Sequence, residues 1–441
     1  MLGLILAGEA VYTLPFHVTR FFRPTVLETF DLSNTQLGTA MAAYGVVAML
    51  AYFPGGPLAD RFAARKLLAL SLWATAAGGL YMATFPGVVG SVLLWAFFGI
   101  TSILLFWAAL IRATREWGGR RSQGRAFGLL DGGRGLLAAL LASAGAALFG
   151  FMFPEGGSNA TLESKQHALR AIILCYTAVT AATGVFVWFA LRGTRVDGPG
   201  GPSARGQSAR ETWVQIGQVL RLPAVWYASL IVMCAYVGYK GFDNLALYAV
   251  EGWGKSEVEA AGMVAMAAWM RPVAALGAGL LGDRFLVSRM TVVCFGLLLL
   301  TQLLFALLTP RAGLGWLLVC NMLATGLAVF GLRGLYYALF EESAVPMAVT
   351  GTAVGVVSVL GYTPDIFVNF LGGVILDHSP GLQGHRNYFW FIAGFAAIGL
   401  LASLALARRL ARRSRIPAGD GAQSIAKRGS PTAPTGNTSG S

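Results

Sequence analysis

Charged side chains interrupt stretches that are otherwise apolar. Arg20, Arg134, Arg170, Lys240, Arg271 and Arg333 bring positive charge, and Glu9, Asp131, Asp243 and Asp365 bring negative charge. A charge at the centre of a bilayer costs roughly 2.5–3.5 kcal/mol on insertion scales, so each marks a candidate site for a solute, a proton or an opposite charge. Asp131 and Arg134 are three residues apart, as are Lys240 and Asp243. Helical side chains at that spacing face each other, so both are expected as internal ion pairs. Arg20 has His17, Phe16 and Arg23 as neighbours and no acid within reach on its own helix, so it needs a partner from elsewhere. Lys240 lies in a run dense in hydrogen-bonding groups: Tyr236, Tyr239, Asp243, Asn244 and Tyr248. Asp365 follows Pro364, whose missing N–H frees a backbone carbonyl. It is a candidate for proton coupling, together with Asp243 and Asp131. Glu9, Arg170 and Arg333 fall towards helix ends and are expected to snorkel to water.

The elements that position these charges are helices long enough to span a membrane. Of 441 residues, 56% are hydrophobic and 12% are charged, against about 25% charged in an average soluble protein. A spanning helix needs roughly 20 apolar residues. The apolar runs place twelve, at 4–27, 36–57, 67–85, 88–111, 126–151, 168–191, 223–249, 258–282, 289–308, 314–339, 349–376 and 387–407. This composition excludes a soluble enzyme, a disordered chain and a disulfide scaffold. The 57 glycines lack a collagen period and sit within apolar runs, where small residues let helices approach closely.

The net charge of +13 is distributed by topology. One set of alternate loops holds Arg61, Arg65, Lys66, Arg112, Arg115, Arg120, Arg121 and Arg125, the basic residues of 192–222, Arg284 and Arg289, and the basic tail from Arg408. The other set holds only Arg23, Lys165, Lys255, Arg311 and Arg386. Positive loops mark the cytoplasmic side, so both termini are expected there, and no nucleic-acid partner is. Residues 192–222 read as a flexible cytoplasmic linker, and the Ser/Gly/Pro-rich tail 408–441 reads as disordered. Cys175, Cys234, Cys294 and Cys320 lie in apolar runs without metal spacing or an evident bridge. The apolar segment at Met1 lacks a basic leader and a clear cleavage site, so it reads as a mature helix. His17, His167, His378 and His385 are scattered, the last three in loops on the side away from the basic ones. Nucleophile-elbow and Walker-type motifs are missing, so neither enzyme activity nor a cofactor is expected.

A repeat is visible. Gly56-Pro-Leu-Ala-Asp60-Arg61, followed by Arg65 and Lys66, is echoed by Gly279-Leu-Leu-Gly-Asp283-Arg284, with the aspartates 223 residues apart. Gly124-Arg-Ala-Phe-Gly128 is echoed by Gly351-Thr-Ala-Val-Gly355, 227 residues later. The chain therefore divides into bundles at 1–191 and 223–407. The Gly-x-Leu-x-Asp-Arg-x-x-x-Arg-Lys pattern, its degenerate second copy and the helix count resemble the major facilitator superfamily. That resemblance implies an all-α integral membrane protein of twelve transmembrane helices in two pseudo-symmetric six-helix bundles, working by alternating access. Gly56, Asp60, Arg61, Arg65, Lys66, Asp283 and Arg284 would then form a gating latch.

Within that superfamily, Arg20 followed by Asp31-Leu-Ser-Asn-Thr-Gln-Leu-Gly38, and Gly351-Thr-Ala-Val-Gly355 with Gly361-Tyr362, are similar to the organophosphate:phosphate antiporters. Lys240 stands where those proteins carry a second arginine, and Arg134 where they carry a histidine. Adding the repeat offset to Arg20 reaches Asp243, one turn from Lys240. Substrate in such carriers binds at the repeat interface near the midplane. Two cations facing each other there without matched anions would want an anionic ligand. The expected substrate site comprises Arg20, Lys240, Arg134, His17, Tyr239, Asn244 and Tyr362. The cargo is expected to be a sugar phosphate, sugar acid, carboxylate or sulfonate, carried by a monomer in a bacterial-type inner membrane. The alternatives are a proton symporter of a neutral sugar-like solute and a transporter-like membrane sensor.

Overall fold

A computed structural model describes residues 1–119, 122–157, 160–193, 209–274, 277, 286–311, 313–335, 339 and 350–414. The described secondary structure is helical. The first half holds α1 (Leu2–Phe21), α2 (Arg23–Thr29), α3 (Asn34–Arg61), α4 (Ala64–Met82), α5 (Val88–Gly118), α6 (Gln123–Met152) and α7 (Leu162–Ala190). The linker contributes α8 (Ala209–Leu220). The second half holds α9 (Pro223–Glu251), α10 (Glu257–Ala268), α11 (Val287–Leu307), α12 (Gly315–Leu335), α13 (Thr350–Gly361), α14 (Pro364–His378) and α15 (Leu382–Ser414). Among the described residues nine helices are long and apolar enough to cross a membrane, ten if α8 and α9 are taken together.

Local chemistry explains several boundaries. Ser33 begins α3 by accepting from the Gln36 N–H while the Gln36 side chain accepts from the Ser33 N–H. Ser256 and Glu259 make the same reciprocal box at the start of α10. Each box satisfies two amides that the first helical turn leaves without partners. Pro364 opens α14, so the expected eleventh helix is two segments interrupted at Tyr362–Thr363. Large apolar side chains such as Leu50, Phe53, Phe151, Trp316 and Leu401 remain exposed on the outside of the bundle, as a surface solvated by lipid requires.

Two expectations change. The linker is not flexible throughout: Ala209–Leu220 is helical and meets α9 at 78°. Ile216 and Val219, three residues apart, fall on one face of that helix, with Val219 fully buried, while Gln215 and Gln218 lie among the polar positions. The tail is likewise ordered beyond 408, since α15 runs unbroken to Ser414. Residues 415–441 lie outside the described residues.

The two halves join most closely through α3 and α14. A Cβ on Gly38 would strike the Asn369 carbonyl, and one on Gly45 would lie 2.6 Å from the Asp365 backbone. Only glycine permits that approach. On the side away from the basic loops, three further ties cross between the halves. Asp377 of α14 accepts from the Asn34 and Thr35 amides at 3.1 and 2.7 Å, so one half caps a helix of the other. The Thr25 hydroxyl donates to Glu257. Lys165 sits 2.6 Å from Glu257 and 2.6 Å from Glu28.

Candidate functional site

A cavity of about 130 Å³ lies between the halves and extends from mid-membrane towards the basic-loop side. Helices α1, α3, α5 and α6 of the first half and α9, α10, α12, α13 and α14 of the second contribute to its wall. Three of these helices depart from regular α geometry where they meet it. In α1, Thr13–His17 forms a π-helical stretch around Pro15, whose carbonyl accepts from the Trp95 indole at 3.2 Å. In α5 a π-helical stretch covers Ile100–Trp107. In α9 the turn Phe242–Asn244 tightens to a 3-10 geometry, one residue beyond Lys240. Such irregular turns redirect side chains and occur often at functional sites.

Arg20 finds its partner across the interface. Its Nε donates to Asp243 Oδ1 at 2.7 Å, its Nη2 lies 2.7 Å from the same oxygen, and its Nη1 donates to the Tyr239 hydroxyl at 3.0 Å. The guanidinium also stacks 4.5 Å above the Tyr239 ring. Arg20 and Asp243 are 223 residues apart, the repeat offset itself, so equivalent positions of the two halves meet. Asp243 also takes Lys240 at 3.1 Å, as the three-residue spacing predicts, and accepts from Asn369 at 3.3 Å. Lys240 reaches Asp365 at 3.2 Å, and Asp365 accepts from Tyr236.

This corrects the expectation of two cations without matched anions. Arg20 and Lys240 converge as expected, but Asp243 and Asp365 stand between and beside them. Lys240 and Asp243 are each only 1% exposed, and burial at that depth demands pairing.

A second charged cluster lies nearer the basic loops. Glu9 is 3% exposed. Its Oε1 is 3.2 Å from His17 Nε2, and its Oε2 is 3.5 Å from Arg134 Nε and 3.3 Å from Arg271 Nη1. Arg134 also donates to the Gly8 carbonyl at 2.9 Å and sits over the rings of Tyr12 and Trp107. Arg271 reaches on to Asp131 at 3.3 Å. The expected Asp131–Arg134 pair is therefore replaced by partners on other helices. Glu9 does not snorkel: Arg134, Arg271 and His17 supply the charge and hydrogen bonds that water would. Arg333, likewise expected to snorkel, lines the cavity instead, 4.3 Å above the Tyr239 ring.

Of the residues expected to bind substrate, Arg20, Lys240, Arg134, His17, Tyr239 and Tyr362 line the cavity. Asn244 points elsewhere, to His385 Nδ1 at 3.2 Å. His385, expected in a loop, is fully buried and pairs with Glu251 at 2.8 Å. Asp365 lines the cavity. Asp243 stands behind its wall, and Asp131 is 57% exposed on the far side of Arg271. Glu9, Arg271 and Arg333 are the charged lining residues that sequence reasoning set aside or left without a role. Their signal was the intramembrane charge itself.

The gating motif is described in its first copy only; Asp283 and Arg284 lie outside the described residues. Asp60 and Arg61 are exposed at the end of α3, and Gly56 has open space around it. Arg65 stacks 4.4 Å above Trp188 and donates to its carbonyl at 3.3 Å. Lys66 is exposed beside it. Arg112 caps the end of α3 by donating to the Ala59 and Phe62 carbonyls.

The sequence pattern of the Major Facilitator Superfamily matches residues 5–366. The inner membrane protein YihN of Escherichia coli strain K12 is 28% identical over 421 residues, spanning 93% of this chain and 96% of its own length. The inner membrane protein YqcE of the same strain is 30% identical over 380 residues, 84% of each chain. A bacterial homolog of the human lysosomal transporter Spinster, in an inward-facing and occupied conformation, superposes with a TM-score of 0.70 at 16% identity, covering 92% of this chain and 96% of that one. The nucleoside transporter NupG superposes with a TM-score of 0.63 at 14% identity, covering 91% and 98%. The two solved structures share the fold.

Proposed function

The chain belongs to the Major Facilitator Superfamily and is a membrane transporter, and from that premise we propose that its cargo is a small organic anion carried by alternating access. One observation carries this reading. The cationic side chains Arg20, Arg134, Lys240, Arg271 and Arg333 line one cavity from both halves, against the lining carboxylates Glu9 and Asp365. With Asp243 and Asp131, which pair Arg20, Lys240 and Arg271 from beside the wall, the five cations face four carboxylates, and low dielectric between the bundles strengthens the field of the one positive charge in excess. The walls between the charges are aromatic, with Tyr12, Phe16, Tyr44, Trp107, Tyr236, Tyr239 and Tyr362. Rings of this kind suit the carbon skeleton of a sugar phosphate, sugar acid, carboxylate or sulfonate. Both termini and the basic loops face the cytoplasm in this reading. The cavity then faces inward, and the ties through Asp377, Glu257 and Lys165 close the outer side.

The test is uptake by the purified chain in proteoliposomes, with labelled compounds of these four anion classes and neutral sugars as comparators. At least one anion class should be taken up, and Arg134→Gln should weaken its apparent affinity about tenfold to a hundredfold, the loss of one charge-assisted contact. Uptake of neutral sugars alone, or an anion uptake indifferent to Arg134, would overturn the assignment.

A further inference from the structure

The two charged clusters differ in how firmly they are closed. The Arg20–Asp243 bridge is made at 2.7 Å through two guanidinium nitrogens, with a tyrosine hydroxyl as a third contact. Charge-assisted bonds to carboxylate sit at about 2.7–2.9 Å when well formed. Glu9 meets Arg134 and Arg271 at 3.5 and 3.3 Å, both longer than that. Both contacts use one oxygen, Oε2, so neither arginine presents its two-nitrogen fork to the carboxylate.

What holds the two arginines in place is independent of Glu9. Arg134 is fixed by its bond to the Gly8 carbonyl, and a Cβ on Gly8 would lie 2.8 Å from the Arg134 side chain. The guanidinium is also flanked by Tyr12 and Trp107 at 5.6 and 5.8 Å. Arg271 keeps Asp131 as a second carboxylate. Taking Glu9 away would thus leave two guanidiniums, one from each half, on the cavity wall. His17 adds a third group: its Nε2 faces Glu9, while its buried Nδ1 has no hydrogen-bond partner among the described residues.

We propose that Glu9 is a tethered stand-in for the acidic group of the cargo: Arg134 and Arg271 form an anion subsite that the Glu9 carboxylate fills in the resting protein and that a carboxylate, phosphate or sulfonate head takes over. The inference rests on the organic-anion reading above and names where the acidic head sits. Glu9 is on α1, about 11 residues before Arg20, which is roughly 16 Å at 1.5 Å per residue. The head therefore binds at the basic-loop end of the cavity, with the carbon skeleton along the tyrosines towards Arg20. Because Arg271 belongs to the second half and Glu9 to the first, the exchange replaces a tie within the protein by a tie through the ligand.

The test uses the purified full chain and two simple probes, inorganic phosphate and sulfate, titrated against thermal unfolding at constant ionic strength. A probe that binds the folded state raises its apparent stability. Glu9→Gln keeps the hydrogen-bonding shape and removes the competing charge, so phosphate or sulfate should protect it with at least about tenfold higher affinity than wild type. Adding Arg271→Gln to Glu9→Gln should abolish that gain. Glu9→Asp, whose carboxylate falls one methylene short, should show an intermediate gain and serves if Glu9→Gln fails to fold. No gain in either Glu9 variant would overturn the proposal, as would a gain that survives Arg271→Gln. Organic-anion uptake that persists alongside no gain would sink the subsite alone. A gain without any organic-anion uptake would sink the cargo class and keep the subsite.

Discussion

Arg20 and Asp243 show how a residue's neighbourhood sets its worth. Both are buried, and each satisfies the other across the two halves. Removing one partner of a buried pair costs about 3–5 kcal/mol, because the other charge is left in low dielectric. Arg20→Ala should therefore lower the apparent melting temperature sharply, and Asp243→Ala should do the same. The double variant should lose less than the sum of the two, since it strands no charge. Additive losses in a thermal-unfolding cycle would show that the bridge is not a unit. The need for a partner outside its own helix was legible at Arg20 from the lack of a nearby acid. That Asp243 would serve both Arg20 and Lys240 was not, because spacing along one helix says nothing about which side chain a second helix brings opposite. Glu9 was misjudged for the same reason: sequence places it near a helix start, and only packing brings Arg134 and Arg271 onto it.

At the scale of elements, helix positions were largely legible because each span needs a long apolar run and leaves polar breaks on either side. Each of the twelve expected places holds described helix, and the differences lie in helix ends and breaks and in α8 of the linker, which falls outside them. The end of α10 offers a measurable case. The Glu259 carboxylate accepts the Ser256 amide, which holds its pKa below the usual carboxylate range. A lowered folded pKa contributes stability above the ordinary value, and the contribution is lost as pH falls through the folded one. Ser256→Ala should cost about 1 kcal/mol near neutral pH through loss of the cap. Glu259→Gln should be less stable than wild type at pH 7, with the difference closing on acidification towards pH 3. A difference that grows on acidification would contradict the assignment. Neither the π-helical turns of α1 and α5 nor the helix in the linker was foreseen, since these depend on tertiary contacts and on a short amphipathic run among polar residues.

For the whole molecule, the ties between halves are unevenly placed. Asp377 capping α3, and Glu257 with Thr25 and Lys165, cluster on one side, while the cavity lies towards the other. The alternating access proposed above requires those ties to break when the cavity turns. Glu257→Gln combined with Asp377→Asn should favour the opposite-facing state. A cysteine at Ala268, on the cavity wall, in a chain whose four native cysteines are replaced by serine, would report it. A membrane-impermeant maleimide added on the side away from the basic loops should label the combined variant roughly tenfold faster, a shift of about 1.4 kcal/mol. Unchanged labelling would mean that these ties do not hold the outer side shut.

The sequence alone determined what solvent and duplication impose. Apolar runs of spanning length dictate a helical membrane protein, since backbone groups in lipid must bond within their own helix. The asymmetry of Arg and Lys among the loops predicts an orientation, and the doubled Asp-Arg motif predicts two related halves. Those signals are local or periodic, so one chain suffices to read them. Beyond the Lys240–Asp243 pair within one helix, the tertiary structure alone decided which charges meet. It put Asp243 between Arg20 and Lys240, drew Arg134 away from Asp131 to Glu9, turned Asn244 towards His385, and brought Arg271 and Arg333 to the cavity. An intramembrane charge is satisfied by whatever the neighbouring helices present at its depth, and that depends on helix rotation and crossing, which no periodicity along a single helix encodes.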